Sequence, residues 1–442
     1  MEHDKTSGRE RVVAPARVSC DSLVALGTRT TSGHTIFAKN SDRPAAECQP
    51  LVHVPPAHHA VGSRVRCQYL SVDQVLSTYG FVGARPSWLW GLEHGVNDKG
   101  VAIGNHTIFT RDTPGESGLL GMDLVRLGLE RGATAEAAVE VLIELIEHFG
   151  QGGSGYSDTH WPYNNSFLVA DAHEAYLLEA SASRWALKRA AHTLSASNHA
   201  SIGTDWDRLG HDTIEHAIAK DWWPEPTGVP FDFAKAYRST EMIPPVISSG
   251  RYATTCRALE AGGLDLTSVQ RVMRDHYEGG EVHQPGATPE DERYFSVCMH
   301  ADPVGTTTAS MIVELHGDRS RPIVAWMALA NPCVSPYFPV FVDADLPPEL
   351  TQGTDDPASG GAWWRFKHLL TEVEKDFARR GSYVRAFWSE FEKMLAADAA
   401  KAMAKLPPPG SARVEGEREI MRAAWDQIST ALTGLTGRVQ AL

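Results

Sequence analysis

The sharpest break in the chain falls at Cys20, where a charged leader, MEHDKTSGRERVVAPARVS, gives way without transition to DSLVALGT. That run (21 to 28), the turn RTTSG and the run HTIFAKNS (34 to 41) set two β-branched, apolar stretches around Thr/Ser/Gly punctuation, the pattern of a hairpin. A strand therefore starts almost on the cysteine. The leader lacks the apolar stretch of a secretory signal, and no apolar run reaches the roughly 20 residues a spanning helix needs.

Further turns at Asn97-Asp98-Lys99-Gly100 and Asp171-Ala172-His173 separate VAIGNHTIF and NNSFLVA from their partners, predicting more antiparallel pairs. Between them, apolar residues recur at helical spacing over 121–131 and 135–149, as in Val139, Leu142, Ile143 and Ile146. A second strand-rich stretch, YFSVCMH, ASMIVELHG and PIVAWMALA, runs from 294 to 342. Strands and helices thus come in blocks, which predicts an α+β fold and not the repeated βαβ units of a doubly wound sheet. After 350, TQGTDDPASGGA reads as a linker and is followed by amphipathic helices, the last expected at 416–436. Three segments result: a leader at 1–19, a main body at 20–350 and a helical extension at 351–442. The extension has two uses open to it, packing on its own chain or a subunit contact in a homo-oligomer.

Charge narrows the partners. With 41 Lys and Arg against 55 Asp and Glu, the net charge of −14 repels phosphate backbones and anionic lipid, so neither nucleic acid nor a membrane is an expected partner. Six cysteines in 442 residues, never as CxxC, are too sparse to staple the chain and read as thiols in a reducing cytoplasm. Metal motifs are missing too: there is no HExxH, no CxxC set and no Asp-rich loop, so neither a metal nor another cofactor is expected. GQGGSGY at 150–156 lacks the Lys-Ser/Thr of a phosphate loop and follows a helix; it reads as a helix C-cap. A GxSxG nucleophile elbow is absent as well.

What remains is Cys20 and the polar residues at strand ends. A thiol attacks as its thiolate and needs a base; a chain whose first residue is Cys carries one in its own α-amine, which titrates near about 8. Cleavage between Ser19 and Cys20 would supply that terminus. Asp42 closes the partner strand of the hairpin, so two paired strands return AKNSD beside Cys20. On the residues alone two readings stand: an N-terminal nucleophile ordered by Asp42, or a small buried Cys20 with Asp42 capping a turn.

The motifs add a resemblance. Ser19-Cys20-Asp21, Lys39-Asn40-Ser41-Asp42-Arg43, Arg85-Pro86-Ser87-Trp88-Leu89-Trp90-Gly91, Gly121-Met122-Asp123-Leu124-Val125-Arg126, Gly150-Gln151-Gly152-Gly153, Asn165-Ser166-Phe167, Ser248-Ser249-Gly250-Arg251-Tyr252 and Thr307-Thr308-Ala309-Ser310-Met311 resemble the secernins and the related bacterial cysteine dipeptidases. These belong to the N-terminal nucleophile (Ntn) hydrolase superfamily. The resemblance implies a four-layer α-β-β-α sandwich, self-cleavage that exposes Cys20, and cofactor-free hydrolysis of a small amide or dipeptide through a thioester. It implies a site of Cys20, Asp42, Asn198, Arg251, Asn105 and Lys39, with Asp42 and Arg251 ordering the terminus and the two asparagines holding the oxyanion. Wider members of the superfamily carry Arg where this chain has Lys39, and Lys cannot present a bidentate fork. Three rivals stay open: an acylase or acyltransferase on a non-peptide amide, a non-catalytic scaffold of the secernin kind, and a thiol enzyme built on an internal Cys such as Cys256 or Cys298.

Overall fold

The computed structural model describes residues 19–225, 228–241, 246–277, 295–302 and 305–442; residues 1–18 of the expected leader lie outside them. The hairpin after Cys20 forms as strands Ser19–Ala25 and Thr35–Arg43, antiparallel, with Cys20 opposite Ser41 and Ser22 opposite Lys39. Successive side chains on a strand face opposite ways. Val24 and Phe37 enter one apolar cluster, whereas Leu23, Ala25, Ile36 and Ala38 enter another on the opposite face.

This hairpin lies inside a seven-stranded sheet in the spatial order Thr193–Ala196, Ser19–Ala25, Thr35–Arg43, Gly305–Leu315, Val324–Leu329 and Phe338–Phe341, with His300–Ala301 pairing onto Gly305–Leu315. A second, eight-stranded sheet centres on Ala102–Ile108, Asn164–Ala170 and Ala175–Ser181, all antiparallel. The two sheets pack face to face. Helices Gly121–Arg131 and Ala135–Phe149 cover the outer face of the second sheet, burying Leu124, Leu142 and Ile146 against Ile103, Phe167 and Val169. Helices Val246–Ala261 and Leu266–Met273 cover the outer face of the first, through Leu259, Val269 and Met273. The result is the α-β-β-α sandwich.

Local chemistry explains the boundaries. Thr134 caps Ala135–Phe149 by accepting from the Ala137 N–H, and Gly150 ends that helix at φ 69°, a conformation that favours glycine. YFSVCMH departs from its expected strand: within the described residues only His300 and Ala301 pair, because the Cys298 N–H bonds to the Asp275 carbonyl and the Met299 N–H to Thr307 Oγ1. The expected linker is pinned, since Asp355 Oδ1 accepts from the Cys48 N–H and the Ser87 hydroxyl, each at 2.9 Å. The last helix is longer than expected, spanning Ser411–Ala441.

The C-terminal helices pack on their own chain. Trp363, Trp388 and Trp425 are buried in the same cluster as Val24 and Phe37, and two of their indoles donate to backbone carbonyls, Trp363 to Thr308 and Trp388 to Val334. Among the described residues no helix is long and apolar enough to cross a membrane.

Candidate active site

Strand Thr193–Ala196 pairs with strand Ser19–Ala25 from Ala25 back to Ser22 and then ends. Beyond it the Asn198 side chain takes over, its Oδ1 accepting the Cys20 N–H at 2.7 Å. That oxygen also accepts from Arg251 Nη2 at 2.8 Å, while Asn198 Nδ2 donates to the Thr107 carbonyl at 2.9 Å. Two donors on the oxygen and one acceptor on the nitrogen fix which way the amide points.

Arg251 comes from the helical layer and is fully buried. Its Nη1 reaches Asp21 Oδ2 at 2.5 Å and the Cys20 carbonyl at 3.3 Å, and its Nε bonds to the Ile247 carbonyl within its own helix. Asp42 sits opposite Ser19 and accepts from the Thr307 hydroxyl at 2.6 Å. Just here the partner strand slips register between Thr307 and Ala309; such a bulge re-aims side chains at a strand end.

Lys39 lies on the inter-sheet side. Its Nζ donates to the Glu93 carbonyl at 2.8 Å and to Glu93 Oε2 at 3.1 Å, with both side chains out of solvent. Glu93 also faces Arg43 at 3.5 Å, and Arg43 is bonded to Glu47, so two buried cations balance two buried carboxylates. The stem of Lys39 passes over Gly104, where an added Cβ would stand 2.5 Å from Lys39 Cδ; glycine is required by that approach. Asn105 follows, its amide 3.1 Å from Asn165 Oδ1 and 3.0 Å from the Glu93 carbonyl oxygen.

The structure thus gathers Cys20, Asn198 and Arg251 into one bonded group and sets Asp42 at the strand end beside them. Lys39 and Asn105 form an adjoining group around Glu93. Burial pushes the Cys20 thiol up to about 12, with Lys39 drawing it down and Glu93 and Asp42 pushing it up. The sulfur is therefore a neutral thiol at pH 7. Burial, aided by Lys39, also holds His94 and His106 well below the usual imidazole range. His106 Nε2 lies 2.6 Å from Ser22 Oγ, and its Nδ1 3.3 Å from Ser166 Oγ.

Sequence reasoning missed Asp21, Glu93 and Thr307 as partners. Asp21 and Thr307 stood inside quoted motifs without a role, and Glu93 carried no signal, since only the meeting of the two sheets brings it to Lys39. No metal-ligating set was legible in the sequence, yet His276, Cys298, His300 and Cys333 converge, each offering a ligand atom within 4.8 Å of the others. Their spacing matches no motif because separate elements bring them together.

No family model matches the chain. Among solved structures it is similar to penicillin V acylase from Agrobacterium tumefaciens, at 17% identity over 73% of this chain and 86% of that one, with a TM-score of 0.44. It is also similar to a mutant of conjugated bile acid hydrolase from Clostridium perfringens, at 11% identity over 74% and 94%, TM-score 0.42. A third is the Caenorhabditis elegans ortholog of N-acylethanolamine-hydrolyzing acid amidase, at 12% identity over 67% and 92%, TM-score 0.33.

Proposed function

We propose that this chain is an amide hydrolase of the N-terminal cysteine type, most simply a dipeptidase, that acts after cleavage between Ser19 and Cys20. The observation that carries the reading is the hold on the Cys20 nitrogen: Asn198 Oδ1 accepts its N–H at 2.7 Å and is itself locked by Arg251 and Thr107. A structural cysteine needs its sulfur packed; a nucleophile that uses its own amine needs its nitrogen aimed.

In activation, Cys20 Sγ attacks the Ser19 carbonyl carbon, the Ser19–Cys20 C–N bond breaks, and the nitrogen takes the thiol proton. Water then hydrolyses the resulting thioester and leaves a free α-amine. In turnover that amine removes the thiol proton, sulfur attacks the substrate carbonyl, and the proton passes to the departing amine. Water delivered to the thioester through the same nitrogen releases the acid. A buried thiol near 12 gives almost no thiolate unaided, so a base of about 8 on the same residue is the group required.

Asn198 Oδ1 serves as the acceptor that aims the terminus, and its NH2, which gives one of its two hydrogens to the Thr107 carbonyl, keeps the oxyanion role expected for it and for Asn105. Arg251 holds Asn198 and Asp21 together, Asp42 faces the charge of the new terminus, and Lys39 supplies the positive field at sulfur. Asn105 braces Lys39 through Glu93. Six unpaired thiols fit a reducing compartment such as the cytoplasm.

The test is intact mass and terminal sequencing of purified protein, followed by a panel of dipeptides and acyl amides read by product mass for wild type and Cys20→Ala. A mature chain starting at Cys20 that cleaves dipeptides sustains the whole reading. Turnover of acyl amides alone moves it to an acylase. A full-length chain without turnover leaves a scaffold.

A further inference from the structure

Some distance along the chain from the nucleophile, four side chains of another kind meet. His276 follows helix Leu266–Met273, Cys298 and His300 flank the start of the edge strand His300–Ala301, and Cys333 lies in the turn after Val324–Leu329. His300 Nε2 is 3.7 Å from Cys298 Sγ and 3.3 Å from Cys333 Sγ. A tetrahedral ion with metal–sulfur bonds of about 2.3 Å and metal–nitrogen bonds of about 2.0 Å has sulfur–nitrogen edges of about 3.5 Å. The observed edges bracket that value.

The surroundings are those of a ligand set. His300 Nδ1 faces Glu374 Oε1 at 3.1 Å, and Asn331 Nδ2 stands 3.4 Å from His300 Nε2. Together these put the ring proton on Nδ1 and leave the Nε2 lone pair aimed into the cluster, the carboxylate–histidine arrangement found behind metal-bound imidazoles. Asn331 Nδ2 also lies 4.0 Å from Cys298 Sγ, and Phe377 stacks edge-on against both histidine rings. The backbone is clamped as well. Asn40 Nδ2 donates to the Met273 and Val297 carbonyls, each at 2.8 Å, and Asn331 Nδ2 to the Met299 carbonyl at 2.7 Å. Arg385 Nη1 approaches His276 Nδ1 at 3.4 Å; ligation through Nε2 would move the ring proton to Nδ1 and push that guanidinium away.

We propose that His276, Cys298, His300 and Cys333 form a structural zinc site. Two thiolates and two imidazoles suit a borderline-soft ion with tetrahedral preference, and four protein ligands leave no open position for catalysis. Binding deprotonates both thiols and releases two protons, with no change of oxidation state. The ion would tie the end of Leu266–Met273, the edge strand and the turn at Cys333 into one knot, with Glu374 extending the tie to the C-terminal helices. This inference does not depend on the amide-hydrolase reading.

The test uses the whole protein, purified without added chelator or metal-affinity resin. Elemental analysis is expected to find about one zinc per chain. Cobalt(II) added to chelator-stripped wild type should give thiolate-to-cobalt charge transfer and the visible bands of a tetrahedral ion, a readout that needs no variant. Cys298→Ala/Cys333→Ala should lose both signals, and Glu374→Gln should weaken zinc by about 10- to 100-fold. Thiol titration in denaturant should return all six cysteines. Four thiols would mean a Cys298–Cys333 disulfide, and a wild type that takes up neither zinc nor cobalt would overturn the proposal directly.

Discussion

Cys20 and the pair Cys298 and Cys333 sit in buried sites that differ in how they are assembled. Around Cys20 much of the frame is local: Ser41 faces it across one hairpin, and Asp42 is the next residue on that strand. Around Cys298 and Cys333, ligand-bearing side chains arrive from a helix end, an edge strand and a turn, with Glu374 behind them from the C-terminal helices. The first sulfur is surrounded by charges and by groups that hold its nitrogen; the second and third face imidazoles. A thiol's use is set by its neighbours, and each site mixes near and distant ones: Cys20 has Ser41 and Asp42 across its hairpin but Asn198 and Arg251 from far along the chain, and Cys298 has His300 two residues on but Cys333 from a later turn.

The comparison breaks most readily at Cys20. Cys20→Ala is expected to abolish both cleavage and turnover, a loss of at least about 10³-fold against substrate, measured by product mass with circular dichroism as the control for folding. Should Cys298→Ala cause that loss and Cys20→Ala not, the roles of the two sites are exchanged.

The next effect is on stability. Lys39→Met leaves the buried Glu93 carboxylate with the more distant Arg43 as its remaining ion-pair partner and should cost about 3 kcal/mol in denaturant melts. Lys39→Met/Glu93→Leu should recover part of it despite leaving Arg43 with one carboxylate fewer. Asn198→Ala removes the hold on the Cys20 nitrogen and should lower kcat by about 10²-fold, the scale of a misplaced reacting group, with KM moved much less.

A pH series sharpens the contrast further. With its thiol raised to about 12, Cys20 in unprocessed protein should alkylate at a rate still climbing with pH above about 9. Mature protein, with the amine to take the proton, should level off near about 8. Equal profiles would remove the amine from the mechanism. The smallest effect is Gly104→Ala, which crowds the stem of Lys39 and should cost about 1–3 kcal/mol.

Legibility followed the same division. The hairpin at Cys20 and helices 121–131 and 135–149 were readable because period and punctuation are local properties. Helix Val246–Ala261 was not, since the face it buries carries Ser248, Arg251 and Thr255 and so lacks an apolar stripe. Within the described residues the strand expected over YFSVCMH failed for a related reason: Phe295, Val297 and Met299 fill core while the backbone bonds to Asp275 and Thr307. Arg251 was found through a motif, whereas Glu93 and the quartet around His300 become visible only when the sheets and the edge strand are assembled.

The buried indoles of Trp363, Trp388 and Trp425 carry a practical consequence. Shortening the gene at residue 350 would leave the first sheet with an uncovered trough, and each lost tryptophan would forfeit about 150–250 Å² of burial. It would also strip Asp355 from Cys48 and Ser87. A trimmed chain is therefore expected to precipitate even with every residue around Cys20 intact, and any attempt at a smaller version must begin by resurfacing that trough.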